Sequence, residues 1–183
     1  MSTTIIDVGD EVLAAVLRPY KPHCRYVKRA RVELPDDGGE DHLVLCRGEF
    51  EIPESCYIDD TGHFNAVEFN ISYNQLIYTL MAQCVISDII PAFAKMSLDE
   101  YLARQLPDVL IHDFRSKFRK PMKAARFDGA VSIMDAVEKS RFLMLKTHVQ
   151  FRDPKGGNSD GDVSLAIVDR STGQRTGSAA TSN

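Results

Sequence analysis

The run from Phe69 to Ser87, FNISYNQLIYTLMAQCVIS, carries no charged residue. Its apolar positions Phe69, Tyr73, Leu76, Ile77, Leu80 and Cys84 recur at helical spacing. A helix without charge on any side is a buried helix, so the rest of the chain must be arranged around it. Asn70, Ser72, Asn74, Gln75 and Gln83 lie within the same run. That many amides argue against a bilayer span. Buried amides must find hydrogen-bond partners or be used on a ligand. The polar entrance to the helix, Thr61–Glu68 (TGHFNAVE), is where chemistry is expected.

The flanking segments supply the enclosure. Asp7–Leu17 reads as a short amphipathic helix ended by Pro19. Tyr26–Leu34 and Leu43–Ile52 read as strands joined by the turn-forming loop PDDGGED. The second alternates, with Cys46, Gly48, Phe50 and Ile52 on one face and Arg47, Glu49 and Glu51 on the other. The central helix runs from Thr61 to near Pro91. Ser97-Leu98-Asp99-Glu100 is a capping box opening a second helix to about Gln105. Strands follow at Val109–Lys120, Asp128–Val137, Phe142–Phe151 and Val163–Val168, with DPKGGNSDGD as a polar loop before the last. Residues 170–183 are small and polar and are expected to fray. Helix, hairpin, long buried helix and a run of hairpin-linked strands make an α+β fold in one domain, with its core over about residues 7–169. An antiparallel sheet wrapped around the uncharged helix is the hotdog arrangement, widely used for acyl thioesters. The open end of such a sheet favours pairing with a second copy, hence a homo-oligomer.

With 44% hydrophobic and 26% charged residues over 183, the chain is an ordinary globular one, and a net charge of -4 points away from nucleic acid. The start lacks the basic and apolar regions of a signal peptide, and Cys24, Cys46, Cys56 and Cys84 form no CxxC pair and no zinc spacing. A cytoplasmic protein with reduced thiols is expected, without cofactor or metal. Nucleotide loops and a Gly-x-Ser-x-Gly elbow are absent from the sequence.

Several residues at the helix entrance carry two readings each. The N–H groups at the helix start can hold a thioester carbonyl and stabilise an oxyanion or enolate, with Gly62 allowing close approach. His63 can relay a proton near neutral pH, or simply be a surface imidazole beside a Thr61 cap. Glu68 is either an acid–base group or a first-turn acid on the helix dipole. Tyr57 can offer a hydroxyl to the carbonyl or merely pack. Asn65 and Asn74, two and a half turns apart, face different ways. Arg119 can clamp a carboxylate or a carrier phosphate, or stand as a solvated charge at a strand end.

Tyr57, the run Thr61–Glu68, Asn74-Gln75-Leu76 and Phe118-Arg119-Lys120-Pro121 together resemble the FcoT-type branch of hotdog proteins. The resemblance extends more loosely from Leu17-Arg18-Pro19-Tyr20 to about Phe151. It implies a cytoplasmic enzyme acting on fatty acyl thioesters. Members act as long-chain acyl-CoA thioesterases or add glycine to a (2E)-enoyl thioester on an acyl carrier protein, in isonitrile-lipopeptide and β-amino-acid pathways. The polar residues of the family's pocket correspond to Tyr20, Tyr57, Asn65 and Asn74. Glycine addition is the expected activity, with thioester hydrolysis and a non-catalytic acyl-carrier or lipid-binding module as rivals. The loops PDDGGED and KGGNSDGD depart from the family pattern and bear on chain length and carrier recognition.

Overall fold

The computed structural model describes residues 3–35, 42–59, 62–94 and 96–168. The central helix, α2 here, spans Ala66–Ile86. It follows β1 (Thr4–Asp7), α1 (Asp10–Leu17), β2 (Val27–Leu34) and β3 (Val44–Glu51), and precedes α3 (Leu98–Arg104). Four strands complete the order: β4 (Val109–Lys120), β5 (Arg126–Glu138), β6 (Phe142–Arg152) and β7 (Asn158–Val168). All seven strands form one antiparallel sheet in the order β1-β2-β3-β5-β6-β7-β4. α2 packs on β2, β3 and β5, while α1 and α3 cover part of its other side. This is the α+β hotdog arrangement that the sequence implied.

The alternation expected of β3 holds: Cys46, Gly48 and Phe50 are buried and Arg47 and Glu49 exposed. Gly48 and Gly129 face each other across β3 and β5. A Cβ on Gly129 would stand 2.7 Å from the Phe50 and Phe151 rings, and one on Gly48 would stand 2.8 Å from Leu76 Cδ1. The paired glycines let the helix and the aromatic cluster of Phe50, Phe64, Phe69, Phe127 and Phe151 settle close to the sheet. One buried hydroxyl pair joins helix to sheet: Tyr73 lies 2.8 Å from Thr147, whose hydroxyl donates to the Val163 carbonyl.

Several boundaries differ from expectation, among them the end of α2, at Ile86 rather than near Pro91. Thr4–Asp7 is a strand paired with Arg31–Leu34, so Asp7, read as the start of the first helix, belongs to β1 and α1 begins at Asp10. A four-residue edge strand has too short a pattern to stand out from its neighbours. β7 begins at Asn158, inside the stretch read as loop, because it has a ladder partner on each side, β6 and β4. α2 begins at Ala66, not at Thr61. Residues 36–41 of the PDDGGED loop and the tail from 169 lie outside the described residues.

Candidate active site

The late start of α2 has a local cause. Gly62 takes φ +70°, a left-handed turn suited to glycine. Phe64 is buried, and its N–H donates to the Met122 carbonyl at 2.9 Å, anchoring the approach to the helix on the segment after β4. Asn65 is the N-cap. Its Oδ1 accepts from the N–H groups of Val67 (2.8 Å) and Glu68 (3.4 Å), and Glu68 Oε2 accepts from the Asn65 N–H at 3.2 Å. This reciprocal capping box closes the helix start. It also corrects the idea of a helix mouth rich in free amides. Of the N–H groups on residues 65 to 68, only that of Ala66 has no partner among the described residues. Thr61 lies outside the described residues, and His63 sits exposed, two residues ahead of the cap.

Glu68 is 1% exposed, with its second oxygen, Oε1, accepting from the Ser55 hydroxyl at 3.0 Å. Both oxygens are thus engaged in holding local structure, and together they brace the cap against the segment that follows β3. That segment carries Tyr57. The Asn65 Nδ2 donates to the Tyr57 hydroxyl oxygen at 2.9 Å. Because the amide is the donor, the phenol's own proton stays available, and Tyr57 is 52% exposed. Tyr57 and Asn65 therefore act as a unit, with Glu68 and Ser55 behind them. Ser55 was not singled out from sequence, and no local signal marks it as the partner of a residue 13 positions away.

The embedded helix is not enclosed on all sides. Ala66, Val67, Asn70, Ile71 and Asn74 form one stripe, partly or fully exposed, along its first turns. Further on, the same side is closed: Tyr78 and Met81 are buried, and the Tyr101 hydroxyl of α3 donates to the Tyr78 carbonyl at 2.8 Å. Tyr20 is half-buried and packs against the core. Burial and the neighbouring Tyr78 phenol hold the Tyr20 hydroxyl well above the usual tyrosine range, so it is a neutral donor at physiological pH. The stripe thus runs from Tyr57 and Asn65 at the cap towards Tyr20 and Tyr78. On the β4 side, Phe114 and Phe118 stack edge-on against Phe69.

The amides of α2 divide into two groups. Gln75 is fully buried and satisfied: Oε1 accepts from Tyr26 N (2.8 Å) and Val27 N (3.2 Å), and Nε2 donates to the Cys24 carbonyl (2.6 Å). Gln83 bonds Ser87. Asn74, on the open stripe, has no hydrogen-bond partner among the described residues, so its amide is free for a ligand.

Arg119 does not join this constellation. Phe114 and Phe118 turn towards α2, whereas Arg119, at an irregularity in the β4–β7 register between Phe118 and Lys120, lies on the opposite face of the sheet. There it forms a two-point ion pair with Asp160, Nε–Oδ1 2.6 Å and Nη2–Oδ2 3.2 Å. Asp160 alternates with the buried Ser159 and Gly161 and faces away from the core. The expectation that Arg119 clamps a substrate carboxylate is corrected by this placement. Gly62 is exposed beside His63, at the approach to the cap.

A sheet packed on a capped central helix, with tyrosine and asparagine side chains gathered at the helix start, defines a hotdog protein whose polar site lies at the mouth of the helix. The profile of the FcoT-like thioesterase domain matches residues 15–167, and the chain belongs to this family. A (2E)-enoyl-[ACP] glycyltransferase of Streptomyces coeruleorubidus is 40% identical over 164 residues, covering 87% of this chain and 96% of the relative. A protein of the same description from Mycobacterium marinum is 36% identical over 165 residues, covering 88% and 87%. Among solved structures, a Staphylococcus aureus protein in complex with CoA shares the fold, with TM-score 0.50 and 13% identity over 69% of this chain and 71% of that one. No helix among the described residues is long and apolar enough to cross a membrane.

Proposed function

We propose that this chain adds glycine to the β-carbon of a (2E)-enoyl thioester carried by an acyl carrier protein. The reading is supported by the two glycyltransferase relatives, each aligned over most of its length. The observation that carries it is the direction of the Asn65–Tyr57 hydrogen bond. It leaves the Tyr57 O–H free to donate to the thioester carbonyl, with the Ala66 N–H as a second donor. Both draw electron density from the alkene. The glycine nitrogen, as the free amine, attacks C3. The N–C3 bond forms as the C2=C3 π pair moves into an enolate on the carbonyl oxygen. His63 relays the proton from the new ammonium to C2, and the product is the N-alkylated glycine, still a thioester. No covalent enzyme intermediate is required. Asn74 and Tyr20 orient the substrate along the stripe. Glu68 acts as a positioning residue through Asn65 and Ser55.

The exposed apolar side chains Leu110, Ile111 and Phe118 lie on β4, an outer strand of the sheet. They support a homo-oligomer in which a second copy pairs along β4. The cysteines, none of them in a disulfide, suit a reducing cytoplasm.

Incubation with a (2E)-enoyl carrier thioester and labelled glycine is expected to yield the N-alkylated acyl thioester. Release of free thiol without glycine, and no adduct with it, would instead assign thioester hydrolysis, which the family's thioesterase description makes the second reading.

A further inference from the structure

We propose that the basic loop at residues 18–28 is the docking surface for the acidic carrier protein that presents the thioester; this rests on the carrier-thioester reading. Residues 12–32 include six Lys or Arg and no Asp or Glu, in a chain that holds 22 of the former and 26 of the latter. Arg18, Lys21 and Lys28 are exposed and Arg25 is half-buried. None of these four makes an ion pair among the described residues, whereas Arg31 and Arg47 share Glu33 and Arg119 holds Asp160. Their polar contacts run to main-chain carbonyls: Arg25 Nε donates to the Tyr20 carbonyl at 3.1 Å and Nη2 to that of Arg18 at 3.3 Å, and Lys28 Nζ donates to that of Arg25 at 2.8 Å. These bonds stiffen the loop and leave its charge uncompensated, on a protein of net charge -4. Cations gathered in this way raise the local concentration of an anionic partner.

The loop borders the site. Gln75 accepts from the Tyr26 and Val27 N–H groups and donates to the Cys24 carbonyl, pinning the loop's second half to the middle of α2. At about 100° per residue, Gln75 stands about 40° round the helix from Ile71, so the pinned segment forms one bank of the open stripe. The Tyr26 carbonyl accepts from the Glu51 N–H at 2.9 Å, joining the same segment to the end of β3, from which the chain runs on to Tyr57. Glu54 approaches the loop at Cys24 and pairs with none of the four cations. A carrier protein is a small acidic domain whose thioester hangs from a phosphodiester-linked arm, so negative charge marks both its face and the root of the arm. Cations along the bank steer that face over the stripe and fix its orientation there. Arg119, the sequence's candidate for the carrier phosphate, is engaged with Asp160 on the opposite face of the sheet.

The test runs two assays on the whole protein. One is binding of a (2E)-enoyl carrier protein without glycine, read as Kd by titration calorimetry. The other is glycine addition to the same acyl group on pantetheine, which has neither carrier nor phosphate. Arg18→Glu with Lys21→Glu is expected to weaken carrier binding about 10- to 100-fold, by setting like charges across the interface. The melting temperature and the kcat and KM for the pantetheine thioester stay unchanged. Lys139→Glu with Arg141→Glu makes the same change in net charge in the turn after β5, at the other end of the sheet, and keeps Kd within about twofold. Raising the salt from about 0.1 to 1 M shortens the screening length from about 10 to about 3 Å and weakens wild-type binding. Carrier binding that is absent, insensitive to salt, within about twofold of wild type after the loop reversal, or weakened equally by the control pair overturns the docking surface. So does a loop variant that loses pantetheine turnover in step with carrier binding. A wild-type protein that binds the carrier but makes no glycine adduct on either thioester overturns the proposed reaction, and the docking surface then stands or falls on the Kd of the loop variant.

Discussion

Replacing Asn65 by aspartate separates the two tasks of this side chain. As a cap, asparagine and aspartate are nearly equivalent. A carboxylate oxygen still accepts from Val67 N and Glu68 N, at the 2.8 and 3.4 Å contacts now made by Oδ1. The folded state is therefore expected to change by less than about 1 kcal/mol, against about 1–2 kcal/mol for Asn65→Ala, which removes the cap. At about 2–4 °C per kcal/mol for a chain of this size, the aspartate variant melts within a few degrees of wild type. The effect on reaction is of a different order. Nδ2 now donates to Tyr57 at 2.9 Å. A carboxylate in its place only accepts, so it takes the phenol proton that Tyr57 would offer to the thioester. Losing one preorganised donor to a developing oxyanion lowers turnover about 10²- to 10³-fold. The assay is adduct formation from carrier-bound enoyl thioester and glycine, with melting followed in parallel. An Asn65→Asp variant that folds like wild type and keeps turnover within about threefold would refute Tyr57 as the donor.

Other consequences follow from the same contacts. Arg119→Ala removes an exposed, solvent-screened ion pair and leaves both the melting temperature and the KM for glycine unchanged, by thermal melting and steady-state kinetics. Gln75→Leu strands the Tyr26 and Val27 N–H groups and the Cys24 carbonyl, costing about 2–4 kcal/mol, measured by urea unfolding. The Asp153 carboxyl is held below the usual carboxylate range, first by the Lys123 N–H and then by those of Gly157 and Lys155. A depressed folded value means its stabilisation is complete above about pH 4 and is lost as the pH falls through the lowered value. The stability gap between wild type and Asp153→Asn, followed by melting from pH 7 to pH 2, is expected to narrow at the acid end.

Much of the fold was legible because it rests on local signals. The uncharged run of α2 demanded burial, Ser97 and Glu100 wrote their capping box into four residues, and β3 carried clear alternation. The start of α2 was misplaced because Thr61 is also a good cap residue. Asn65 and Glu68 form the reciprocal pair that wins, helped by the Phe64–Met122 bond from far along the chain. β1 and the first half of β7 escaped for the same reason: their backbone partners lie in other strands.

The site divides along the same line. Its residue types, Tyr20, Tyr57, Asn65 and Asn74, could be read from motifs in order. Their states could not. Sequence alone required that the amides of a charge-free helix be either satisfied or used. Only the packed structure decided that Gln75 is satisfied by backbone N–H groups 48 and 49 residues away while Asn70 Oδ1 is enclosed without a partner among the described residues. It also decided that Arg119 faces outward, since the guanidinium pairs with the outward-facing Asp160 at a register shift in β4 that no local pattern foretells. Helical and strand periodicities are properties of a few neighbouring residues; hydrogen-bond satisfaction depends on which distant segments are brought into reach.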